Sequence, residues 1–276
     1  MAHSDADKSQ AEMAGEVQDN FREEPPKPGP APKIGLGDYE HFTLDNGLEV
    51  VVVQNKKLPR VSFRLLVDHD PVLEGSKAGL AATAANLMSK GTKNRTKDEI
   101  NEAVDFIGAS FSTFNKGIYG TCLTEHEEKL LEIMSDVLRN PTFPVEEMDK
   151  LIKRRKSGLK ASETDPNTIA GNVSKVLRYG KDHPYGDITT KETLDSITVE
   201  DCKQHYRNYF KPNISYLAIV GDVSLDEARN MAKKYFGSWE AGPVKENEYE
   251  QPERPNKRKV CFVDVPGSVQ SVINIT

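Results

Sequence analysis

The sequence predicts an α+β fold, because segments with strand signals and segments with helix signals are interleaved along one chain. The clearest strand signal is the turn motif Asp45-Asn46-Gly47, which leads into the β-branched run Leu48 to Val53 and predicts a hairpin. The clearest helix signal is Thr96 followed three residues later by Glu99. This spacing is typical of a capping box and predicts a helix from Lys97 to Ile107.

Four further segments have the length and composition of strands. Arg60 to Asp68 is almost continuously apolar and is expected to be buried on both faces. Ser110 to Phe114 and Tyr119 to Leu123 flank Asn115-Lys116-Gly117 and predict a second hairpin. Ser215 to Val220 predicts a further strand, so the strands are spread over most of the chain.

Helical patterns occupy the intervals between these strands. Apolar residues recur in them at helical spacing, and glycine, proline or capping residues mark their ends. Besides Lys97 to Ile107, the predicted helices are Gly79 to Ser89, Glu127 to Arg139, Val145 to about Ser162, Thr168 to Tyr179, a short helix near Lys191, Val199 to Tyr209, and Leu225 to Phe236.

Composition divides the chain into four parts. Residues 1–37 are acidic and then proline-rich, which predicts a disordered tail, and residues 38–241 hold the predicted folded domain. Residues 242–256 are rich in proline and glutamate and predict a linker. Residues 257–276 contain two strand-like runs and are expected to be the first strands of a second domain that is cut short.

Charge and hydropathy exclude two classes of partner. The formal net charge is −6 and acids are interspersed with bases, which argues against a nucleic-acid surface. No run approaches the roughly 18 apolar residues that a membrane-spanning helix needs. No signal peptide is visible in the first residues. An extracytoplasmic, periplasmic location is favoured if an export signal was trimmed, and a cytoplasmic one otherwise.

The residues alone offer no complete active site. Hydrolytic zinc sites on a helix need two histidines one turn apart with a glutamate between them, and no two of the six histidines lie within five positions. His183, in a His-Pro turn, is expected to be structural. Cys122, Cys202 and Cys261 lack metal or disulfide spacing and are expected to be small buried side chains.

An ordered series of short matches gives the chain a family resemblance. It resembles the pitrilysin/insulinase-type zinc peptidases, peptidase family M16, from Asp38 to Thr276. The matching segments are Phe42 to Val50, Ala78 to Ala81 with Met88, Lys90 to Thr92 and Arg95-Thr96, Asp182 to Gly186, Ile219 to Val223, and Lys234 to Trp239.

The resemblance implies the fold of the mitochondrial processing peptidase. That fold is a mostly antiparallel sheet of about six strands with helices packed on one face. Members of the family form clamshells whose domain pairs enclose a chamber, and in heterodimeric members one subunit supplies the zinc while the other completes the walls.

The resemblance also implies that the zinc signature is degenerate. Active members carry His-x-x-Glu-His on the helix matched by Gly79 to Ser89, and those positions fall on Ala82, Ala85 and Asn86. A glutamate on the later long helix is the third ligand, and its position falls on Gly158. Alanine has no donor atom, and an amide is a poor zinc ligand beside imidazole. We therefore expect no catalytic residue, no bound metal and no cofactor, with zinc only in an active partner.

One family feature survives such a loss in principle. Active members hold their peptide as an added strand on a sheet edge beside the metal helix, and the matching segment is Ser110-Phe111-Ser112-Thr113-Phe114-Asn115. Backbone pairing needs no particular side chain, so this segment is a candidate peptide-binding edge strand. The alternative is an ordinary strand whose Phe111 and Thr113 face the core.

Three functions follow from the resemblance. The first is a non-catalytic subunit that completes the peptide-binding chamber of an active zinc peptidase of the same family. The alternative is a structural or peptide-binding protein with no peptidase partner, and the third is an active zinc endopeptidase whose ligands have not been recognised. The expected partners are an active subunit and extended peptides.

Overall fold

The fold was analysed in a computed structural model. It describes the following residues: 29, 38–252, 257, 260–267, 270–273 and 275. The predicted tail, residues 1–37, lies outside the described residues except for Gly29, which is exposed. The compact unit that carries the fold begins at Asp38. Within the described part of the chain, no helix is both long and apolar enough to cross a membrane.

The described residues form one six-stranded sheet, in the order β1-β2-β6-β3-β5-β4. Only β2 and β6 pair in parallel, and the other neighbours pair antiparallel. The predicted mostly antiparallel sheet is therefore confirmed. The strands are β1 (Glu40–Thr43), β2 (Glu49–Gln54), β3 (Arg60–Val67), β4 (Ser110–Phe114), β5 (Gly117–Leu123) and β6 (Ser215–Gly221).

Eight α-helices lie in the same described part of the chain, close to the predicted segments. Thr96 caps α2 in a complete capping box with Glu99, as the spacing predicted. The helices are α1 (Leu80–Met88), α2 (Lys97–Phe106), α3 (Glu127–Arg139), α4 (Val145–Ser162), α5 (Pro166–Tyr179), α6 (Lys191–Ser196), α7 (Val199–Tyr209) and α8 (Leu225–Phe236).

The core lies on one face of the sheet only. Along β3, Val61, Phe63, Leu65 and Val67 are fully buried, whereas Arg64 between them is exposed. The expectation that this segment is buried on both faces is wrong. The physical reason is that the helices pack against one face, so the apolar residues that point to the other face meet no second layer.

A long-range contact fixes the first hairpin to the end of the domain. Gly47 has a φ of 86°, which the turn between β1 and β2 requires. The neighbouring Asn46 donates through Nδ2 to the carbonyl oxygens of Phe236 and Trp239, both at 2.9 Å. The turn residues therefore both reverse the chain and hold the C-terminal end of α8.

The described residues of 257–276 form no strand, and the two strands predicted there lie partly outside the described residues. Residues 260–265 and 271–273 have neither helix nor strand, and the other residues of the two runs lie partly outside the described residues. A strand needs a neighbouring strand to satisfy its backbone groups, and none of the six sheet strands in the described part pairs with these residues. The proposed division into domains stays a prediction.

Candidate functional site

The helix matched to the family's metal helix, α1, begins without a capping side chain of its own. Its N-cap residue is Gly79, whose φ is 101°. The carboxylate of Glu74 instead accepts hydrogen bonds from the backbone N–H groups of Gly79 at 2.5 Å, Leu80 at 3.0 Å and Ala81 at 2.6 Å. Burial raises the pKa of Glu74, and these three hydrogen bonds act in the opposite direction. Glu74 thus satisfies the donors at the start of α1.

A cationic side chain from α4 contacts the same turn of α1. Arg155 donates through one guanidinium nitrogen to the carbonyl oxygen of Gly79 at 2.8 Å and to the hydroxyl of Thr83. Burial lowers the pKa of Arg155, while the nearby Glu74 carboxylate acts to raise it. A Cβ at position 79 would lie 2.9 Å from the Arg155 guanidinium, so this close approach needs glycine.

The three positions that the resemblance assigns to the zinc signature lie along α1. Ala85 is 1% exposed, and Ala82 and Asn86 are partly buried. Asn86 donates through Nδ2 to the carbonyl oxygen of Ala82 at 2.7 Å, so its amide is bonded to its own helix. Gly158 lies exposed on α4, where an added Cβ would meet no atom within 4 Å.

These residues do not fit a zinc ion. Two methyl groups, one amide bonded to its own helix and a glycine supply neither imidazole nor carboxylate. Across the described residues, no group of three or more His, Cys, Asp and Glu side chains is placed to hold a metal ion. Ala82, Ala85 and Asn86 therefore contribute to the packing of α1 and offer zinc no strong ligand.

The candidate peptide-binding strand does lie at an edge of the sheet. β4 pairs with β5 on one side and has no strand on its other side among the described residues. α1 packs next to it, as the resemblance requires. Ser110 and Ser112 are exposed, Phe111 and Thr113 are half-buried, and Asn115 begins the turn that follows. Half-burial of Phe111 and Thr113 and the edge position agree with both the peptide-binding and the ordinary-strand interpretation.

His183 and the three cysteines differ in their surroundings. His183 is buried, and its Nδ1 accepts from the backbone N–H of Tyr185 at 3.1 Å, which suits a structural turn. Burial raises the pKa of Cys122 to about 11 and that of Cys202 to about 12, so both thiols stay protonated. Cys261 is exposed, contrary to the expectation that all three cysteines are buried, because it lies in a segment without core contacts.

Two models of one family match most of the folded chain. Residues 49–178 match the model described as "Insulinase (Peptidase family M16)", and residues 196–276 match the model described as "Peptidase M16 inactive domain". The chain belongs to peptidase family M16. The first match includes α1 and α4, and the two matches together include five of the six strands, β2 to β6.

Relatives of this M16 chain include bacterial and mitochondrial proteins. "Uncharacterized zinc protease YmxG" of Bacillus subtilis (strain 168) is 26% identical over 209 residues, which cover 73% of this chain and 51% of the relative. "Mitochondrial-processing peptidase subunit beta" of Caenorhabditis elegans is 24% identical over 209 residues, which cover 72% and 45%. The chain spans about half the length of the curated relatives it matches.

Solved structures share the fold. The peptidase M16 inactive domain from Pseudomonas fluorescens superposes with a TM-score of 0.70 at 21% identity, covering 79% of this chain and 54% of that one. A protease from Helicobacter pylori superposes with a TM-score of 0.68 at 22% identity, with the same coverage. These similarities confirm the fold that the resemblance implied.

Two residues that organise the start of α1, Glu74 and Arg155, were not predicted from the sequence. A signal for the first was present, because Gly79 stands where a capping side chain is usual and five residues after an acid. No local pattern identifies Arg155, which is one of several basic residues on α4. Its role depends on how α4 crosses α1.

Proposed function

We propose that this chain is a non-catalytic component of an M16 zinc metallopeptidase that completes the peptide-binding chamber of an active partner. The observation that carries the proposal is the state of α1. On the helix where active members of the family bind zinc, this chain has Ala82 and Ala85, and the amide of Asn86 donates to the Ala82 carbonyl oxygen at 2.7 Å. Such a helix packs well and offers a zinc ion no strong donor.

The partner in this proposal is an active M16 subunit with an intact His-x-x-Glu-His helix. Support comes from a relative whose name designates it as subunit beta of the mitochondrial processing peptidase. A second subunit supplies what this chain lacks, namely the metal and the general base. This chain supplies part of the wall of the chamber and a surface that holds the peptide.

The proposed peptide-holding surface is the free edge of β4. Backbone N–H and C=O groups on an unpaired strand edge are ready to pair with an extended peptide, independently of its side chains. The edge strand lies beside α1, so a peptide paired there would lie near the helix that carries Ala82 and Asn86. This same edge favours the second candidate function, a peptide-binding protein with no peptidase partner.

The two candidates are separated by reconstitution with a partner. Purified chain is expected to contain well under one zinc per molecule and to leave a fluorogenic peptide uncleaved. Mixed with an M16 subunit that retains the signature, it is expected to raise the rate of zinc-dependent cleavage above that of the subunit alone. Peptide binding without any rate increase would favour the second candidate. Stoichiometric zinc with cleavage by this chain alone would contradict both.

The edge itself is tested with a modified peptide. An extended peptide that binds by strand addition is expected to lose binding when alternate backbone nitrogens are methylated, because methylation removes the donated N–H groups. The matched control is the same peptide methylated on the other set of nitrogens, which face away from β4. Equal binding of both methylated peptides would argue against pairing with the strand.

A further inference from the structure

The segment predicted as a linker is fastened to the domain. Residues 242–250, here called the strap, have no helix or strand, but residues 242, 244, 247 and 249 are partly buried. At its start, Gly242 donates through its backbone N–H to Asn213 Oδ1 at 3.1 Å, and its carbonyl oxygen accepts from Asn213 Nδ2 at 3.2 Å. The strap therefore follows the surface of the domain from its first residue.

In the middle of the strap, Asn247 closes a pocket of aromatic rings. The hydroxyl of Tyr209 donates to Asn247 Oδ1 at 2.8 Å. The Tyr209 ring centroid lies 4.6 Å from that of His69 and 4.9 Å from that of His205, and the two histidine rings are 6.2 Å apart. Tyr209 is 2% exposed, His205 3% and His69 9%.

Three buried polar atoms around Tyr209 have no hydrogen-bond partner in the structure. They are His69 Nε2, His205 Nε2 and Asn247 Nδ2. His69 Nδ1 lies 2.6 Å from the carbonyl oxygen of Asp70 and donates its proton there, so Nε2 of the neutral ring carries only a lone pair. A proton added at Nε2 would make a buried cation with no acceptor in contact.

Burial disfavours the protonated, positively charged form of both His69 and His205. Burial lowers the pKa of His205 to about 4, with the neighbouring His69 acting in the same direction. Burial also lowers the pKa of His69. Around His69, the Asp70 carbonyl hydrogen bond and the carboxylates of Asp68 and Asp70 raise its pKa, while Lys116, from the turn between β4 and β5, lowers it.

The end of the strap has a separate anchor. The Tyr249 ring packs edge-on against His183, with centroids 4.8 Å apart, and Tyr179 stacks on His183 at 5.2 Å. The Asn213 and Tyr249 anchors lie outside the pocket of His69 and His205. Acid acting on that pocket therefore affects the middle attachment of the strap.

We propose that the strap is an acid-released latch, in which a proton on His69 or His205 opens the pocket that Asn247 closes. The direction of the pH effect is set by the difference in proton binding between the closed and released forms. Both rings are held neutral in the closed form, so closure is complete above the ordinary histidine pKa of about 6.5 and is lost as pH falls below it toward about 4.

The test measures the strap directly. Cys261→Ser removes the exposed thiol, and Glu248→Cys and Gln204→Cys place nitroxide labels on exposed residues of the strap and of α7. The distance distribution between the labels is recorded at pH 7.5 and at pH 5.0. We expect the ratio of released to closed strap to rise about tenfold at pH 5.0. An unchanged distribution would overturn the proposal.

Matched variants locate the sensor. In the same labelled background, the double variant His69→Gln, His205→Gln is expected to give a distribution that does not change with pH. The control His41→Gln, at an exposed histidine on β1, is expected to keep the full change. A double variant that still releases its strap in acid would overturn the proposal.

A second measurement avoids the variants, in case the double variant fails to fold. The ring protons of His69 and His205 are followed by NMR in the chain with native histidines while pH is lowered. The midpoint of one of these titrations must coincide with the midpoint of strap release. Release at a pH where neither ring titrates would overturn the proposal.

Discussion

The start of α1 and the pocket beneath Asn247 are opposite solutions to burying polar groups. At the start of α1, Glu74 accepts from three backbone N–H groups, and Arg155 donates to Gly79 and Thr83. In the pocket, two histidine nitrogens and an amide nitrogen are buried without partners. The helix that resembles a metal site therefore begins with three of its backbone donors hydrogen-bonded, whereas the buried polar atoms of the pocket have no partner.

The two regions should therefore differ in how strongly they respond to pH. A buried group with all its hydrogen bonds made is costly to disturb, so the start of α1 should be rigid and insensitive to mild changes of pH. A buried group without partners gains from exposure, so the pocket should respond to conditions that leave α1 unchanged.

The largest effect is expected when donors are put back on α1. The variant Ala82→His, Ala85→Glu, Asn86→His, Gly158→Glu should gain zinc binding, because it restores the ligand types at the positions that the resemblance assigns. Missing partners for the new histidines should weaken that binding by about 10- to 100-fold relative to an intact site. Zinc titration measures the gain, and peptide cleavage should stay near background because no partner completes the chamber.

The control for this variant carries only Ala82→His and Asn86→His. It lacks the glutamate from α4 and should bind zinc more weakly than the full set. A folded quadruple variant that binds no zinc would show that Gly158 is not the third-ligand position. Rapid zinc-dependent cleavage by the isolated variant would contradict the need for a partner.

The second prediction removes the acceptor at the start of α1. Glu74→Ala leaves three N–H groups without their carboxylate and should lower the free energy of unfolding by about 4 kcal/mol. Urea denaturation measures the loss. Glu163→Ala, which removes an exposed carboxylate paired with Lys191, is the control and should cost less than about 1 kcal/mol. Equal losses would refute the role given to Glu74.

The third prediction concerns the stability of the pocket. His205 has a pKa of about 4 in the folded chain and an ordinary value when unfolded, so the unfolded state binds more protons between pH 6.5 and 4. The free energy of unfolding should therefore fall by about 3 kcal/mol more in the native chain than in His205→Gln over that range. Denaturation curves at several pH values test this, and parallel curves would contradict it.

The smallest effect is expected at an exposed ion pair. Lys156 lies 2.6 Å from Asp195 on the surface between α4 and α6. Lys156→Met should change the free energy of unfolding by no more than about 1 kcal/mol, and salt should reduce the difference further. Denaturation at low and high salt measures it. A larger loss would mean that surface charge, and not the buried contacts of Arg155, joins α4 to the domain.

Local signals made much of this fold predictable. The Asp45-Asn46-Gly47 turn and the Thr96 capping box fix neighbouring residues through contacts within a few positions, and both elements form as predicted. The exposed face of β3 was not predictable from its apolar composition, because burial depends on whether a second layer covers the sheet. The missing layer is a property of the assembled domain.

The candidate site also contains some residues that could be predicted from local sequence and some that could not. The positions of the zinc signature could be assigned from the sequence because the family pattern lies within one helix. They are Ala82, Ala85 and Asn86. The contact of Arg155 with α1 and the meeting of His69 with His205 join segments that are far apart in the sequence. No periodicity or spacing encodes such meetings, since they depend on how helices and loops are placed around the sheet.

The position of β6 in the sheet has a consequence for how the chain is made. β6 lies between β2 and β3 and is the sole link between the β1-β2 pair and the β3-β5-β4 group in the described sheet. A ribosome delivers β6 last of the six strands, so until then the two groups have unpaired inner edges. Pairing across such long sequence separations is slow. During synthesis the nascent domain therefore has two additional unpaired strand edges that are prone to aggregation. Its need for chaperones should end when Ser215–Gly221 emerges from the ribosome.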